Sequence, residues 1–159
     1  MRLLMEDRVV EITEYQPHHQ PWFEKFNRAW IEYYFWMEPI DEQVLRYPDE
    51  HILKKGGSIL MATCNGEIAG TVALRFVEAG VYEFTKMAVD EKYRGLKIGK
   101  TLALAAIDKA KALGAHKIIL YSNTTLANAI ALYRKLGFKE VPVDSVYERS
   151  DIKMELPLI

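Results

Sequence analysis

One cysteine, Cys64, stands in a chain of 159 residues. No internal disulfide framework can therefore form, and a reducing compartment, the cytoplasm, is expected. No apolar run is long enough to span a bilayer, so no membrane partner is expected. The apolar core of the opening MRLLMEDRVV is too short for a signal peptide. Neither charge dominates: Lys+Arg is 21, Asp+Glu is 22, and the formal net charge is -1. A protein gripping many nucleic-acid phosphates carries a basic excess, so no nucleic acid is expected as partner. His18, His19, His51 and His116 show no metal-ligand spacing with Cys or carboxylates, so no metal is expected. Internal repeats and Pro/Ser linkers are absent. What is present is a folding composition, 50% hydrophobic and 27% charged, which excludes a disordered or collagen-like chain. The length fits one domain, expected over residues 8–159. At this size roughly 68–70% of the unfolded surface can be buried, enough for one unstapled core.

Gly, Pro and Asn punctuate the sequence. Arg8–Tyr15 alternates weakly and reads as a strand. Pro21 fits a first helical turn, and Trp22, Phe26, Trp30, Tyr33 and Met37 then fall at helical spacing, a stripe expected to be core along with Trp36. Pro39 ends that helix. A second runs from Asp41 toward Lys55, with Pro48 able to split it. Ser58–Cys64 and Glu67–Val77 are apolar runs joined by Asn65-Gly66, a strong hairpin signal. A third strand is expected over Val81–Val89. A helix follows with Ile98, Leu102, Ala105, Ala106, Ala110 and Leu113 on one face, stopped by Gly114. Lys117–Tyr121 reads as a buried strand. A helix capped by Thr124 or Thr125 runs to Leu136, stopped by Gly137. Last strands are expected near Lys139–Val143 and Ser150–Leu156. The order is β-α-α-β-β-β-α-β-α-β-β, an α+β fold with a mixed, mostly antiparallel central sheet and helices on both faces.

The stretch Tyr93–Thr101, YRGLKIGKT, joins a strand end to a helix start. Backbone N–H groups in such a glycine-bearing loop, with the helix dipole behind them, suit a phosphate or pyrophosphate. Arg94, Lys97 and Lys100 add positive charge; the ordinary alternative is a solvated basic cluster. Gly95, Gly99, Lys100 and Thr101 read G-x-x-x-G-K-T, one residue short of the Walker A loop. That spacing sets how many amides wrap the phosphate, so a nucleotide triphosphatase is disfavoured.

Arg94-Gly95-Leu96-Lys97-Ile98-Gly99 resembles the signature Arg/Gln-x-x-Gly-x-Gly/Ala of the GNAT superfamily of acetyl-CoA-dependent N-acetyltransferases, with Lys97 in place of the first glycine. FTKMAVDEKYRG before it and NTTLANAIALYRKLGF, Asn123–Phe138, are similar to the family's flanking elements, and the element order agrees. The resemblance implies the acyl-CoA N-acyltransferase (GNAT-like) fold in one N-acetyltransferase domain. It also implies acetyl-CoA as co-substrate and direct attack on it by a primary amine of a small molecule or peptide. The Arg94–Thr101 loop (Arg94, Gly95, Leu96, Lys97, Ile98, Gly99, Lys100, Thr101) would hold the pyrophosphate. Met87, Ala88 and Val89 would bond the pantetheine arm and supply a backbone N–H to the thioester oxygen. Asn123 and Asn128 are candidate cofactor contacts by position, Asn123 equally a capping residue.

An alkyl amine with a pKa near ~10 is only about 0.1% free base at pH 7, so a proton acceptor helps. Glu83, on the strand before the loop, is the candidate base, directly or through a water. Its sequence neighbours Val81, Tyr82 and Phe84 are apolar, a setting that makes a carboxylate a better base; the alternative is an ion pair, for instance with Lys86. Tyr133 is the candidate acid and sulfur contact, or else a core residue at helical spacing with Leu126 and Ile130. Cys64 lacks the base a nucleophilic thiol needs. Glu38 or Asp41, near Tyr34, Phe35 and Trp36, could hold a cationic amine, and Tyr147 is a similar candidate. The alternative from another class is a non-catalytic acyl-CoA-binding sensor or interaction module on the same fold. The last strands and exposed aromatics could also pair two chains as a homodimer.

Overall fold

The structure, a computed structural model, describes residues 2–5, 8–144 and 147–158. Met1, residues 6–7 of the stretch tested as a signal peptide, and residues 145–146 and 159 of the expected domain lie outside the described residues. Eight strands form one sheet: β1 (Arg2–Met5), β2 (Arg8–Glu14), β3 (Ser58–Cys64), β4 (Glu67–Glu78), β5 (Val81–Val89), β6 (Lys117–Ser122), β7 (Lys139–Val141) and β8 (Ile152–Pro157). Four helices accompany them: α1 (Gln20–Tyr34), α2 (Pro39–Arg46), α3 (Ile98–Ala112) and α4 (Ala127–Lys135). The spatial order is β1-β2-β3-β4-β5-β6-β8-β7. Only β5 and β6 pair in parallel among the described residues.

β1 was not expected. It is a short edge strand whose register, Arg2↔Glu11 to Met5↔Arg8, is set by β2 rather than by any pattern of its own. Asn65-Gly66 makes the expected tight turn, with positive φ at both residues (52° and 85°). Gly114 and Gly137 follow α3 and α4 with φ of 84° and 104°, the left-handed conformation that ends a helix. Thr124 and Thr125 do not cap α4. Asp151 accepts from Thr124, Asn123 Oδ1 accepts from Thr125, and the helix starts at Ala127. Pro48 does separate α2 from a single π-helical turn over Asp49–Leu53.

Strand alternation divides the core into two layers. Ile59, Met61 and Ala73 meet Phe23, Ile31, Leu45 and Ile52 on the α1/α2 face. Leu60, Ala62, Leu74, Phe84 and Ile118 meet Leu102, Ala106, Ile130 and Tyr133 on the α3/α4 face. The α1 stripe was misplaced by a fraction of a turn. Phe23, Phe26, Asn27 and Ile31 are buried, whereas Trp22 is 39%, Tyr33 79% and Trp36 52% exposed. Aromatics crowd that helix on every side, so spacing alone could not choose its inner face.

Two departures from regular pairing shape the site. β5 and β6 pair only at Val81↔Lys117, Tyr82↔Ile118 and Glu83↔Ile119, and beyond Glu83 they splay apart. β5 also bulges: Thr71 faces Ala88 and Ala73 faces Thr85, so Lys86 and Met87 share the place opposite Val72. Lys86 takes φ +56° there, a left-handed conformation costing a non-glycine residue roughly 1–2 kcal/mol.

Lys86→Gly and Lys86→Ala both lose the ammonium and differ only in what the bulge demands. The glycine variant is expected to be the more stable by about 1 kcal/mol in urea unfolding, reversing the usual strand preference. A higher midpoint for alanine would mean that the bulge reverts to extended backbone.

Candidate active site

The splay opens a cavity of about 90 Å³ between Phe84–Met87 of β5 and Leu120–Asn123 of β6, with α1, α4 and the loop before β8 around it. This is room for a few water molecules. Glu83 lies at its base, 1% exposed. Oε1 accepts from Arg75 Nε at 2.8 Å and Oε2 accepts from Tyr147 Oη at 3.1 Å. Two of the three apolar sequence neighbours, Tyr82 and Phe84, alternate to the α3/α4 face, while Val81, two residues along the strand, stays on the face of Glu83. Its ion-pair partner is Arg75 across the β4–β5 ladder, not Lys86. Burial first, and then the charge of Glu83, raise the Tyr147 hydroxyl well above its ordinary range, so it stays protonated.

Beside Glu83 sits a buried cluster of four charges. Arg149 donates from Nη1 to Asp41 Oδ2 (2.6 Å) and Glu38 Oε2 (2.8 Å), and from Nη2 to Asp41 Oδ1 (2.9 Å). Lys86 Nζ lies 3.2 Å from Asp41 Oδ1. Asp41 is 0% exposed, and it also accepts the Glu38 backbone N–H at the start of α2. Burial alone would raise its carboxyl. The Arg149 hydrogen bonds, the Lys86 charge and the Glu38 N–H outweigh that and hold it below the ordinary carboxylate range. The expectation that Glu38 or Asp41 holds a cationic amine is therefore corrected: both are already neutralised from within the chain. Tyr147 packs against both cations, its ring centroid 5.1 Å from Lys86 Nζ and 5.0 Å from the Arg149 guanidinium.

Tyr133 reaches the same cavity from α4. Its ring packs edge-on against Phe84 (5.8 Å) and Phe138 (5.9 Å). Its hydroxyl has no hydrogen-bond partner among the described residues, and burial raises it to about 12, so it stays protonated at neutral pH. It is at once a core residue and a cavity residue.

A second hollow, a groove of about 510 Å³, lies beside it. Met87, Ala88 and Val89 line it with Arg94 and Asn128, while Trp30, Met87, Leu126 and Ala129 belong to the walls of both hollows, which are therefore neighbours. At the α3 start, Lys97 has φ +60°. It thus adopts the left-handed conformation that the resembled motif assigns to glycine, with its side chain exposed. Helix geometry leaves the first amides of α3, from Ile98 to Lys100, without intrahelical acceptors. Gly95 has nothing within 4 Å of a built Cβ, and Gly99 only Met87 and Val89 at 3.9–4.0 Å, so the approach to these amides is open. Arg94 and Lys100 are exposed and Leu96 half-buried. Ile98 and Thr101 turn inward, Thr101 Oγ1 donating to Lys97 O at 3.0 Å, so only their backbone could serve a ligand. Asn123 lines the cavity but is committed: Nδ2 donates to Arg149 O (2.7 Å), and Oδ1 accepts from Thr125 N and Oγ1. Arg75, Lys86, Arg149 and Asn27 are the site residues that sequence reasoning missed. Arg149 and Asp41 lie 108 positions apart, a distance over which no periodic pattern signals contact.

The family model "Acetyltransferase (GNAT) family" matches residues 14–138. An N-acetyltransferase of Bacillus subtilis (strain 168), YvbK, is 32% identical over 96 residues, which are 60% of this chain and 61% of that protein. The chain spans less than two thirds of the length of the curated relatives it matches. A GNAT-family acetyltransferase from Staphylococcus aureus Mu50 superposes with a TM-score of 0.85 at 23% identity, covering 94% of this chain and 99% of that one. The PaiA N-acetyltransferase of Thermoplasma acidophilum, in complex with coenzyme A, superposes with a TM-score of 0.72 at 23% identity, over 93% and 98% of the two chains.

Asp41→Ala strands Lys86 without its counter-charge and Arg149 with half of its own. A loss of about 3–5 kcal/mol in urea unfolding at pH 7 is expected. The native carboxyl titrates below its ordinary ~3.9, so its contribution is complete above that pH and vanishes as pH falls through the folded-state value. The wild type should therefore lose stability more steeply than the variant as pH falls into the acid range, so the gap between them narrows there. A loss under about 1 kcal/mol would mean that water solvates the cluster.

Proposed function

The chain belongs to the GNAT acetyltransferase family, and from that premise we propose that residues 8–159 form one N-acetyltransferase domain that moves the acetyl group of acetyl-CoA to a primary amine in a ternary complex. The observation that carries the proposal is that the groove and the cavity adjoin at Met87 of the β5 bulge, with Tyr133 on the cavity wall. The related fold from T. acidophilum binds coenzyme A, which supports the same cofactor here. The fit on this chain is an open glycine-bearing approach to the α3 amides, basic Arg94, Lys97 and Lys100 around it, and a strand edge at Met87–Val89 for the pantetheine arm.

The residues then divide the work. Amides of the α3 start take the pyrophosphate. A backbone N–H near Met87 donates to the thioester oxygen as it gains charge, a role that the register shift of β5 against β4 supports. The amine nitrogen attacks the carbonyl carbon, the C–S bond breaks, and the thiolate takes a proton from the Tyr133 hydroxyl. The amine's surplus proton leaves toward Glu83 through water or the Tyr147 hydroxyl, since both Glu83 oxygens already accept hydrogen bonds.

Acetyl-CoA should bind in calorimetry and ATP should not, and thiol release should require an amine. Binding without release for any amine would favour an acyl-CoA sensor. Tyr133→Phe is expected to lower kcat at least about tenfold with little change in acetyl-CoA affinity; a wild-type rate returns it to the core alone. Glu83→Gln should likewise lower kcat and leave cofactor affinity intact.

A further inference from the structure

The carboxylate at the base of the cavity is held by a residue that does not line it. Arg75 stands directly across the β4–β5 ladder from Glu83, inside the regular pairing from Ala73↔Thr85 to Phe76↔Tyr82. The register shifts on both sides of that stretch, and β5 leaves β6 just past Glu83. Opposed side chains share one face of a sheet, and Arg75 Nε donates to Glu83 Oε1 at 2.8 Å. Glu83 is 1% exposed, and a charge so buried needs a partner. Burial would lower the Arg75 guanidinium. The charge of Glu83 and the hydrogen bond outweigh that and hold it above its ordinary range, so it stays cationic at every working pH. The other groups around Glu83 are placed differently. Tyr147, from the loop before β8, donates to Oε2. Lys86 of the β5 bulge and Tyr121 of β6 feel the Glu83 charge, but Lys86 pairs with Asp41 and Tyr121 Oη donates to Asp144 at 2.9 Å. Tyr133 of α4 and Arg149 line the same cavity, and Arg149 is bound to Glu38 and Asp41. Arg75 is the one cation bonded to Glu83 among the described residues.

Resting on the acetyl-transfer reading above, we infer that Arg75 is a positioning residue for the reaction, one that keeps Glu83 ionised inside the sheet and fixes its Oε1. The proton lost by the amine nitrogen is then gained at Oε2, the oxygen shared with Tyr147. It arrives through water, or through the Tyr147 hydroxyl, which gives its own proton to Oε2 as it takes the new one. Glu83 becomes a neutral acid until that proton passes to solvent. Arg75 is absent from the cavity wall, so its effect passes through Glu83. Its two contributions, charge and orientation, are separable. Lysine keeps the charge but carries it one bond beyond the Nε position and without the planar fork. Methionine keeps the bulk and loses the charge. A third of the Arg75 side chain is exposed, 34%, so a replacement leaves no sealed void.

The test follows kcat for thiol release across pH at saturating acetyl-CoA and saturating amine, with benzylamine, spermidine and a glycine-terminated peptide as acceptors. Calorimetry reads acetyl-CoA affinity in parallel. Arg75→Met is expected to carry the acid limb of kcat to higher pH by about one pH unit or more, because removing the cation disfavours the carboxylate. Its acetyl-CoA affinity should match the wild type. Arg75→Lys should keep the limb in place and lower the plateau about threefold or more, since the charge remains and the orientation is lost. The double variant of Arg75→Met with Glu83→Gln buries no unpaired charge, so it reports even where Arg75→Met alone fails to fold. Its kcat should equal that of Glu83→Gln alone. An unmoved limb in Arg75→Met, or a double variant slower than Glu83→Gln, overturns the inference and leaves acetyl transfer standing. A wild type that binds acetyl-CoA and releases no thiol with any of these amines overturns acetyl transfer, and the role of Arg75 with it.

Discussion

The buried carboxylate of Asp41 is the constraint on which the site depends. Alone in the interior it would be untenable. Arg149 and Lys86 neutralise it, and each comes from a different part of the chain. One side chain thus ties the start of α2 to the β5 bulge and to the loop before β8. Such a cluster is poor evidence of net stability, since apolar residues of equal volume often do as well. What it supplies is placement. It holds Lys86 in a backbone conformation lysine avoids, and it sets a loop residue, Arg149, at the cavity wall.

The splay of β5 from β6 gives that placement a use. A parallel pair that zipped to its end would seal the sheet. Here the pairing stops at Glu83, and the strands part just where β5 bulges. The groove and the cavity adjoin, with Met87 and Trp30 common to both. A carboxylate, two protonated tyrosine hydroxyls and two cations are gathered around the small cavity, while the groove is lined mostly by apolar side chains, among them Trp30, Tyr34, Met87 and Leu126, with Arg94 and Asn128.

Much of this frame was legible in the sequence because it is local. Asn65-Gly66 marked the hairpin, and Gly114 and Gly137 marked helix ends through the conformation they must adopt. The loop at Tyr93–Thr101 showed its chemistry in glycines and cations, and Lys97 adopts the backbone conformation expected of a glycine there. The illegible parts are non-local. β1 is a strand only because β2 lies beside it. The inner face of α1 was blurred because aromatics surround it. Glu83 was found by its strand, but its partner Arg75 is fixed by the β4–β5 register, and Asp41 looked free because Arg149 lies far along the chain. Tyr82 and Phe84, next to Glu83 in sequence, were taken for its neighbours in space, although alternation sends adjacent strand residues to the opposite face.

The 108 positions between Asp41 and Arg149 also bear on how the protein is built. The β3–β4–β5 meander closes through short turns and can pair as soon as it is made. The parallel partner β6 must await the α3 crossover, and β8, which flanks β6, follows it in the chain. The β5 wall of the cavity thus belongs to the early, local part of the fold, and its Arg149 wall to the later, long-range part. Synthesis must pass Arg149 before Asp41 acquires that counter-ion, so one small cavity is enclosed by parts of the chain that come together at different stages of folding.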